Sequence, residues 1–158
     1  MDTVDAAGQQ GAAEQPLHGR CLCGAVQFTL QPPLDFVSHC HCESCRRSHG
    51  AAFVTWTSVP FDRFAMPSDA PVRWYRSSSF IEWGFCERCG SSMLYRAVAD
   101  GHPESPKRDR MYVTAASLQE PLGCAPKVHV SYEERVAWFE PGDALPKHRG
   151  KTDERLDR

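Results

Sequence analysis

Apolar and polar residues alternate over short segments in the middle of the chain, which is typical of half-buried β-strands. Many of these segments contain β-branched or aromatic side chains, and turn-forming sequences such as QPPLD, PSDAP and EPLG separate them. The pattern predicts strands over residues 25–30, 52–59, 72–76, 80–85, 92–96, 110–116, 127–132 and 135–139.

Helical periodicity is nowhere sustained over three turns, so we expect at most a single helical turn near CESCRRSHG and another near DRFAM. The sequence therefore predicts a small all-β domain, mostly antiparallel, over residues 17–140. Four tryptophans lie in predicted strands, and we expect them to pack in the sheets, because aromatic side chains dominate core burial. They are Trp56, Trp74, Trp83 and Trp138. For Trp56, which closely follows a cysteine cluster, a role beside that cluster stays open.

Both ends of the chain differ from this central part. Residues 1–16 are small and polar, which predicts a disordered N-terminal tail. Residues 141–158 are rich in charge, proline and glycine, which predicts a charged, solvated C-terminal tail. The chain shows no secretory signal and no run near the ~20 apolar residues of a membrane span. We therefore expect a cytoplasmic protein without a membrane partner.

The charge of the chain bounds its partners. The formal net charge is -2 and the isoelectric point is near 6.4. Domains that bind nucleic acid through bulk charge are usually basic, so we expect no nucleic-acid partner of that kind. A local basic patch is still compatible with the composition, and the oligomeric state is not indicated.

The chain has eight cysteines. An even number allows disulfides, but a reducing compartment and the close spacing within each group favour metal binding. Seven of the eight form three groups: Cys-x-Cys-Gly at 21–24, Cys-x-Cys-x-x-Cys at 40–45 and Cys-x-x-Cys-Gly at 86–90. Cys124 stands apart and has no predicted role.

The first and third groups share a glycine after their second cysteine. A turn that wraps backbone N–H groups around a thiolate tends to need positive φ there, which glycine adopts without a Cβ clash. We therefore expect one tetrahedral structural zinc site with four thiolates. A redox role for the third group is weaker, because no βαβ pattern surrounds it. The expected ligands are Cys21, Cys23, Cys86 and Cys89.

The middle group offers three thiolates, Cys40, Cys42 and Cys45, and the four-cysteine site leaves no clustered cysteine to complete it. Three protein ligands with an open fourth position are typical of catalytic zinc sites. The alternative is a closed structural site with a histidine as fourth ligand, for which His49 is the best candidate.

An open zinc site with three thiolates suits a soft ligand such as a substrate thiol, which binds with loss of its proton. Arg46 and Arg47 follow the cluster and could attract carboxylates of that substrate, although a solvated pair explains them equally well. Neither a Ser/His/Asp triad nor a pair of carboxylates is evident, so the metal would carry the chemistry.

The motifs GRCLCGAVQF, HCHCESCRRSHGAAF and FCERCGSSM resemble the glutathione-dependent formaldehyde-activating enzyme (GFA) family, also called the centromere protein V domain family. The resemblance covers about residues 17–140. It implies a small β-domain of the Mss4-like type, with zinc structural at the four-cysteine site and catalytic at the three-cysteine site. It also implies a carbon–sulfur lyase that condenses glutathione with formaldehyde to S-hydroxymethylglutathione.

Two classes of function remain open on the sequence. The first is a zinc-dependent lyase acting on a small thiol adduct, with glutathione as the leading thiol. The second is a non-catalytic zinc module of the centromere protein V type, which would need a basic segment that the mixed-charge tails do not offer. The shared motifs are metal ligands and do not specify the thiol, and the loop at 99–110 matches no known substrate-binding element.

Overall fold

The computed structural model describes residues 15–99, 108–151 and 156. Residues 1–14 of the expected N-terminal tail and most of the loop at 99–110 lie outside the described residues. Within the described part, no helix combines the length and the apolar character that crossing a membrane requires.

Short strands make up most of the regular secondary structure among the described residues. One helix, α1, spans Glu43–His49. Single 3-10 turns occur at Phe61–Arg63, Ala115–Ser117 and Tyr132–Glu134. The strands are β1 (Leu17–Arg20), β2 (Gln27–Leu30), β3 (Val37–Cys40), β4 (Val54–Pro60), β5 (Phe64–Ala65), β6 (Val72–Arg76), β7 (Ile81–Cys86), β8 (Ser92–Ala97), β9 (Arg110–Thr114) and β10 (His129–Val130).

The strands form a small and a large sheet. The small sheet is antiparallel, in the order β1-β2-β5. The large sheet has the order β10-β3-β4-β9-β8-β7-β6, and all its pairs are antiparallel except β10–β3. The expected all-β, mostly antiparallel fold is confirmed.

The central strands of the large sheet are buried on both faces. Leu94 of β8 pairs with Val113 of β9, and the next positions pair Tyr95 with Tyr112. Because successive side chains of a strand point to opposite faces, the aliphatic pair packs on the small sheet and the tyrosines face away from it. The core between the sheets includes Leu17, Phe28, Leu30, Val59, Leu94 and Val113, with Cys21 and Cys86. The aromatic face carries Trp56, Trp83, Tyr95 and Tyr112, with Cys40 and Cys45.

All but one of the predicted strands are present within two residues of their expected bounds. The sequence analysis missed β1, β3 and β5, because these are short and poor in β-branched residues. Helix α1 is longer than the expected single turn. Its first turn is capped by the sulfur of Cys42, which accepts the N–H of Cys45 at 3.4 Å. Its end is formed by Gly50 in the left-handed conformation, with φ of 60°.

The predicted strand at 135–139 is wrong. After the 3-10 turn at Tyr132–Glu134, a side chain rather than a strand ladder ties down the chain: the Glu133 carboxylate accepts the N–H of Gly150 at 2.8 Å. Trp138 is 76% exposed, so its expected packing in a sheet is also wrong. The other three tryptophans pack against the two cores as expected.

Part of the segment expected to be a solvated C-terminal tail lies against the domain. His129 of β10 forms a parallel bridge with Lys147, and its Nε2 atom lies 3.0 Å from Oδ1 of Asp143. The ammonium group of Lys147 lies 3.0 Å from the Glu140 carboxylate. Two of the charged residues that suggested a tail, Asp143 and Lys147, therefore have partners within the folded structure.

Gly19 in β1 has no room for a side chain, because an added Cβ would overlap the ring of buried Phe28. We expect Gly19→Ala to lower the free energy of unfolding by about 1–3 kcal/mol, the usual cost of overpacking a core. Gly142→Ala is the matched control, since nothing lies within 4 Å of its added Cβ. Urea denaturation followed by tryptophan fluorescence measures both, and equal stability of the two variants would contradict the described packing.

Candidate metal centres and active-site pocket

The cysteines of the first and third motifs come together where β1 and β7 end. The sulfurs of Cys21, Cys23, Cys86 and Cys89 all lie within 4.8 Å of one another. The Sγ–Sγ distance is 3.5 Å between Cys21 and Cys23 and 3.8 Å between Cys23 and Cys86. A tetrahedral zinc ion with Zn–S bonds of about 2.3 Å separates its sulfurs by roughly 3.8 Å, so this donor set fits zinc.

Both expected glycine turns are present at the four-cysteine site. Gly24 has φ of 76° and Gly90 has φ of 74°. Their N–H groups donate to the carbonyl oxygens of Cys21 and Cys86 at 3.1 and 2.8 Å. The N–H of Val26 donates to the sulfur of Cys21 at 3.2 Å, which stabilises negative charge there. The turns thus bring four sulfurs to one point from two distant parts of the chain.

The second cluster forms at a strand-to-helix turn. Cys40 ends β3, Cys42 caps α1, and Cys45 is the buried residue of the helix. Their three sulfurs lie within 4.8 Å of one another. The spacing Cys-x-Cys-x-x-Cys therefore follows from the passage of the chain from an extended segment into one helical turn.

The three thiols of this second cluster differ in how readily they ionise, because each affects the pKa of the others. Hydrogen bonds with Cys40 and Cys45 lower the pKa of Cys42. The hydrogen bond with Cys42 raises the pKa of Cys40, and those with Cys40 and Cys42 raise the pKa of Cys45. The indole N–H of Trp56 donates to the sulfur of Cys45 at 3.3 Å. Thiolates this close repel one another, so a divalent cation is what allows all three to ionise. The donors fit zinc, with one coordination position left over.

A cavity of about 500 Å³ opens onto the three-cysteine cluster. Its walls include the aromatic face of the large sheet, in which the rings of Tyr95 and Tyr112 stack with centroids 4.3 Å apart. Trp56 and Trp83 line the same cavity. Burial raises the pKa of Tyr95, so its phenol keeps its proton at neutral pH. The cavity is therefore an apolar chamber with three sulfurs in its wall.

The arginines expected to attract substrate carboxylates do not line this cavity. Arg46 donates from Nε to the carbonyl oxygen of His41 at 3.0 Å. Arg47 forms an exposed ion pair with Glu43 at 2.7 Å, one helical turn away. Both arginines therefore make local contacts within or beside α1. Their positions offer no support for the expected substrate role.

The cationic residues that do line the cavity are Lys127 and Lys151, which the sequence analysis did not single out. Lys151 lies in the segment interpreted as a tail, and no local motif connects either lysine with the cysteines. The aromatic wall, by contrast, left a signal in the sequence, because Trp56 and Tyr112 both lie in segments predicted to be strands. Tyr112 lies on the same face as Trp56 because the register of β4 and β9 and the alternation of each strand place them there.

No histidine joins the three sulfurs in the part of the chain that the structure describes. Nδ1 of His49 lies 3.1 Å from the carbonyl oxygen of Cys45 and 2.8 Å from Oγ of Ser48. His41 is directed instead at His129, with 2.8 Å between Nε2 and Nδ1. The geometry favours the open three-cysteine site over the histidine-closed alternative.

Comparison with known proteins identifies the family. The family model described as "Glutathione-dependent formaldehyde-activating enzyme" matches residues 16–134. The chain belongs to this family. The matched region of this GFA protein contains all seven clustered cysteines and ends before Asp143 and Lys151. The expected resemblance is confirmed, and the C-terminal segment that contacts His129 and Glu133 lies beyond the matched region.

The individual proteins similar to this GFA protein share only part of its length or a low sequence identity with it. A Schizosaccharomyces pombe protein named as an uncharacterized lyase is 36% identical over 89 residues, which are 52% of this chain and 58% of that protein. The match thus spans little more than half of that relative. A crystal structure of a Rhodobacter sphaeroides protein aligns with a TM-score of 0.49 and 22% identity, over 65% of this chain and 87% of the other. That likeness is too weak to carry an argument.

The four-cysteine site makes a prediction about stability. We expect Cys86→Ser to remove one bound metal ion per chain and to lower the free energy of unfolding by several kcal/mol, because structural metal binding is coupled to folding. Cys124→Ser is the matched control, since Cys124 belongs to neither cluster. Elemental analysis and chemical denaturation measure the two quantities. Normal metal content and stability in Cys86→Ser would rule out a metal at this site.

The hydrogen bond from Trp56 to Cys45 makes a second prediction. Trp56→Phe keeps an aromatic ring but removes the N–H donor, so we expect about tenfold weaker metal affinity at the three-cysteine site. Trp74→Phe is the control, because Trp74 packs against the other core. Competition with a chelating zinc indicator measures the affinity of each site. If both variants match the wild type, the indole N–H has no influence on the metal.

Proposed function

We propose that this protein is a zinc-dependent carbon–sulfur lyase that acts on a small thiol adduct, in the manner of an S-(hydroxymethyl)glutathione synthase. Its substrates would be glutathione and formaldehyde or a related electrophile. The observation that carries the proposal is the cluster of Cys40, Cys42 and Cys45, which faces a cavity of about 500 Å³ without a fourth protein ligand among the described residues. The four-cysteine site, by contrast, offers a complete tetrahedral donor set, and we assign it the structural role.

The proposed reaction is the addition of a thiol to a carbonyl group and its reverse. A bond forms between the thiol sulfur and the carbonyl carbon while the π bond of the carbonyl breaks. The thiol proton ends on the carbonyl oxygen, which becomes a hydroxyl group. The reverse direction breaks the carbon–sulfur bond and returns the thiol and the aldehyde. Neither direction needs an oxidant or a reductant.

A zinc ion held by the three thiolates would supply a Lewis-acidic position that favours the deprotonated, nucleophilic form of a substrate thiol. The chain's own residues hold and shape the site. Trp56 donates to Cys45 and offsets charge on that sulfur. The stacked Tyr95 and Tyr112 and the indole of Trp83 form apolar walls that exclude water from the reacting sulfur.

Family membership supports the substrate class, since the family's description names glutathione and formaldehyde. The fission yeast relative is named a lyase, which supports the reaction class. A set of reduced cysteine clusters also suits a cytoplasmic location, where thiols are kept reduced. The proposed partners are therefore a small thiol, with glutathione first, and two zinc ions per chain.

The alternative is a non-catalytic zinc module of the centromere protein V type. Such a module would give no role to a cavity that presents three sulfurs. A DNA-binding assay titrated with salt separates the two proposals, because electrostatic binding weakens steeply as salt rises. Strong, salt-sensitive binding together with no turnover would favour the module.

The proposed chemistry depends on the three-cysteine cluster. We expect Cys42→Ser to lower turnover of glutathione and formaldehyde by more than about 100-fold, beyond the loss typical of groups that only orient a metal ligand. The variant should remain folded with one zinc per chain, since the four-cysteine site is intact. Elemental analysis, circular dichroism and product detection by nuclear magnetic resonance check each point.

The matched control for this variant is Cys124→Ser, which should keep two zinc ions and full turnover. Full turnover by Cys42→Ser would exclude the proposed chemistry. Loss of zinc from the wild type on adding excess glutathione would independently show that the second site is accessible to a thiol.

A further inference from the structure

We propose that Lys127 and Lys151 form a cationic mouth on the three-cysteine cavity and select thiols that carry carboxylate groups. This inference rests on the proposed function, because it assigns the substrate class of that same site. It concerns one residue, Lys127, inside the region that matches the family model and another, Lys151, beyond it.

The first observation is the charge of the cavity wall. Apart from the cysteines, its only ionised side chains at neutral pH among the described residues are Lys127 and Lys151, and no Asp or Glu lines it. This contrasts with the chain as a whole, whose net charge is -2. The positive charge at the cavity is therefore local, and it acts on whatever enters.

The second observation is that both ammonium groups are available to a ligand. Both side chains are exposed, and no ion pair involves either of them within the described residues. Lys147 of the same segment is, by contrast, paired with Glu140 at 3.0 Å. A lysine that lines a cavity without a protein carboxylate can bind the carboxylate of a ligand.

The third observation is that the fold holds each lysine at the cavity. The backbone N–H of Lys127 donates to the carbonyl oxygen of Val37 at 3.0 Å, which places it beside β3. Lys151 follows Gly150, whose N–H donates to the Glu133 carboxylate at 2.8 Å and whose carbonyl accepts the N–H of Ser131. The anchored backbone brings the ammonium of Lys151 to 6.0 Å from the centre of the Tyr95 ring.

Together these features describe a complementary ligand. The three sulfurs define the end that receives a thiol, the aromatic wall contacts an apolar or amide body, and the lysines meet negative charge at the other end. A cavity of about 500 Å³ has the size of a site for a small organic ligand. The ligand class is therefore a thiol of peptide or acyl type with at least one carboxylate.

A competing explanation is that the lysines only balance the charge of the thiolates. In that case, removing one would alter the reaction of every thiol by the same factor. Under the proposal, the loss falls on carboxylate-bearing thiols alone. Comparison of a thiol with its own ester separates the two, because the sulfur chemistry stays the same.

The experiment uses Lys151→Gln, Lys127→Gln and the double variant, all zinc-loaded, with Arg63→Gln as a control that removes an exposed positive charge outside the cavity. Turnover with formaldehyde is measured for glutathione, for glutathione diester and for 2-mercaptoethanol. A second readout is independent of turnover. It is the binding of S-methylglutathione and of its diester, followed by calorimetry or by the fluorescence of Trp56 and Trp83.

We expect each single variant to lower kcat/KM for glutathione about fivefold and the double variant more than about tenfold, with less than about twofold change for the diester and 2-mercaptoethanol. Binding of S-methylglutathione should weaken by similar factors, and that of its diester should not. Wild-type binding should also weaken as salt rises, with a smaller slope in the double variant.

Equal loss for all three thiols, or unchanged binding of S-methylglutathione in the double variant, would overturn the role of the lysines. Absence of turnover by the wild type with every thiol would instead refute the proposed function. The binding comparison then still decides the lysines' role, because S-methylglutathione needs no reaction to be bound.

Discussion

The alternation of side chains along the central strands of the large sheet is the constraint on which the rest of the structure depends. One set of positions packs against the small sheet and the other set forms the aromatic face, so both faces are buried. Each core includes two cysteines of one cluster. Burying several thiols in an apolar core is costly if they ionise without a compensating cation. Metal binding would therefore be part of the folding of both cores.

The two clusters differ in completeness, and this difference supports the proposal that one is structural and the other chemical. Two glycine turns bring four sulfurs together, although Cys23 and Cys86 are 63 residues apart in the sequence. Together they form a closed donor set that ties the small sheet to the large one. Three sulfurs come from one strand-to-helix turn and line a cavity, with no fourth protein ligand among the described residues. Under the proposed function, the second arrangement would bind its metal less tightly and leave room for a ligand.

The C-terminal segment extends the site beyond the three cysteine motifs. Asp143 contacts buried His129, which in turn contacts His41 between Cys40 and Cys42. Gly150 is tied to Glu133 close to the end of the family match. These contacts give one surface of the three-cysteine loop a fixed support. They also explain how a segment of mixed charge becomes part of the cavity's rim.

Much of the fold and both groupings of cysteines could be predicted from the sequence, because the signals for them are local. Strand alternation needs only neighbouring residues, and the Cys-Gly spacing needs only one turn with positive φ. The errors in the predicted strands have the same origin. The local signal was faint for β3 and misleading for the segment at 135–139. Strand β3 is short, and the segment at 135–139 alternates but pairs with no strand among the described residues.

What the sequence by itself determined is the all-β class, the grouping of seven cysteines into four and three, and the chemistry that those sulfurs suit. Only the tertiary structure decided which charges face the cavity. Arg46 and Arg47 are adjacent to the cluster in sequence, yet contacts within and beside α1 occupy them. Lys127 and Lys151 are far from it in sequence and line the cavity. The physical reason is that sheet register and chain return set which distant side chains meet, and neither leaves a local pattern.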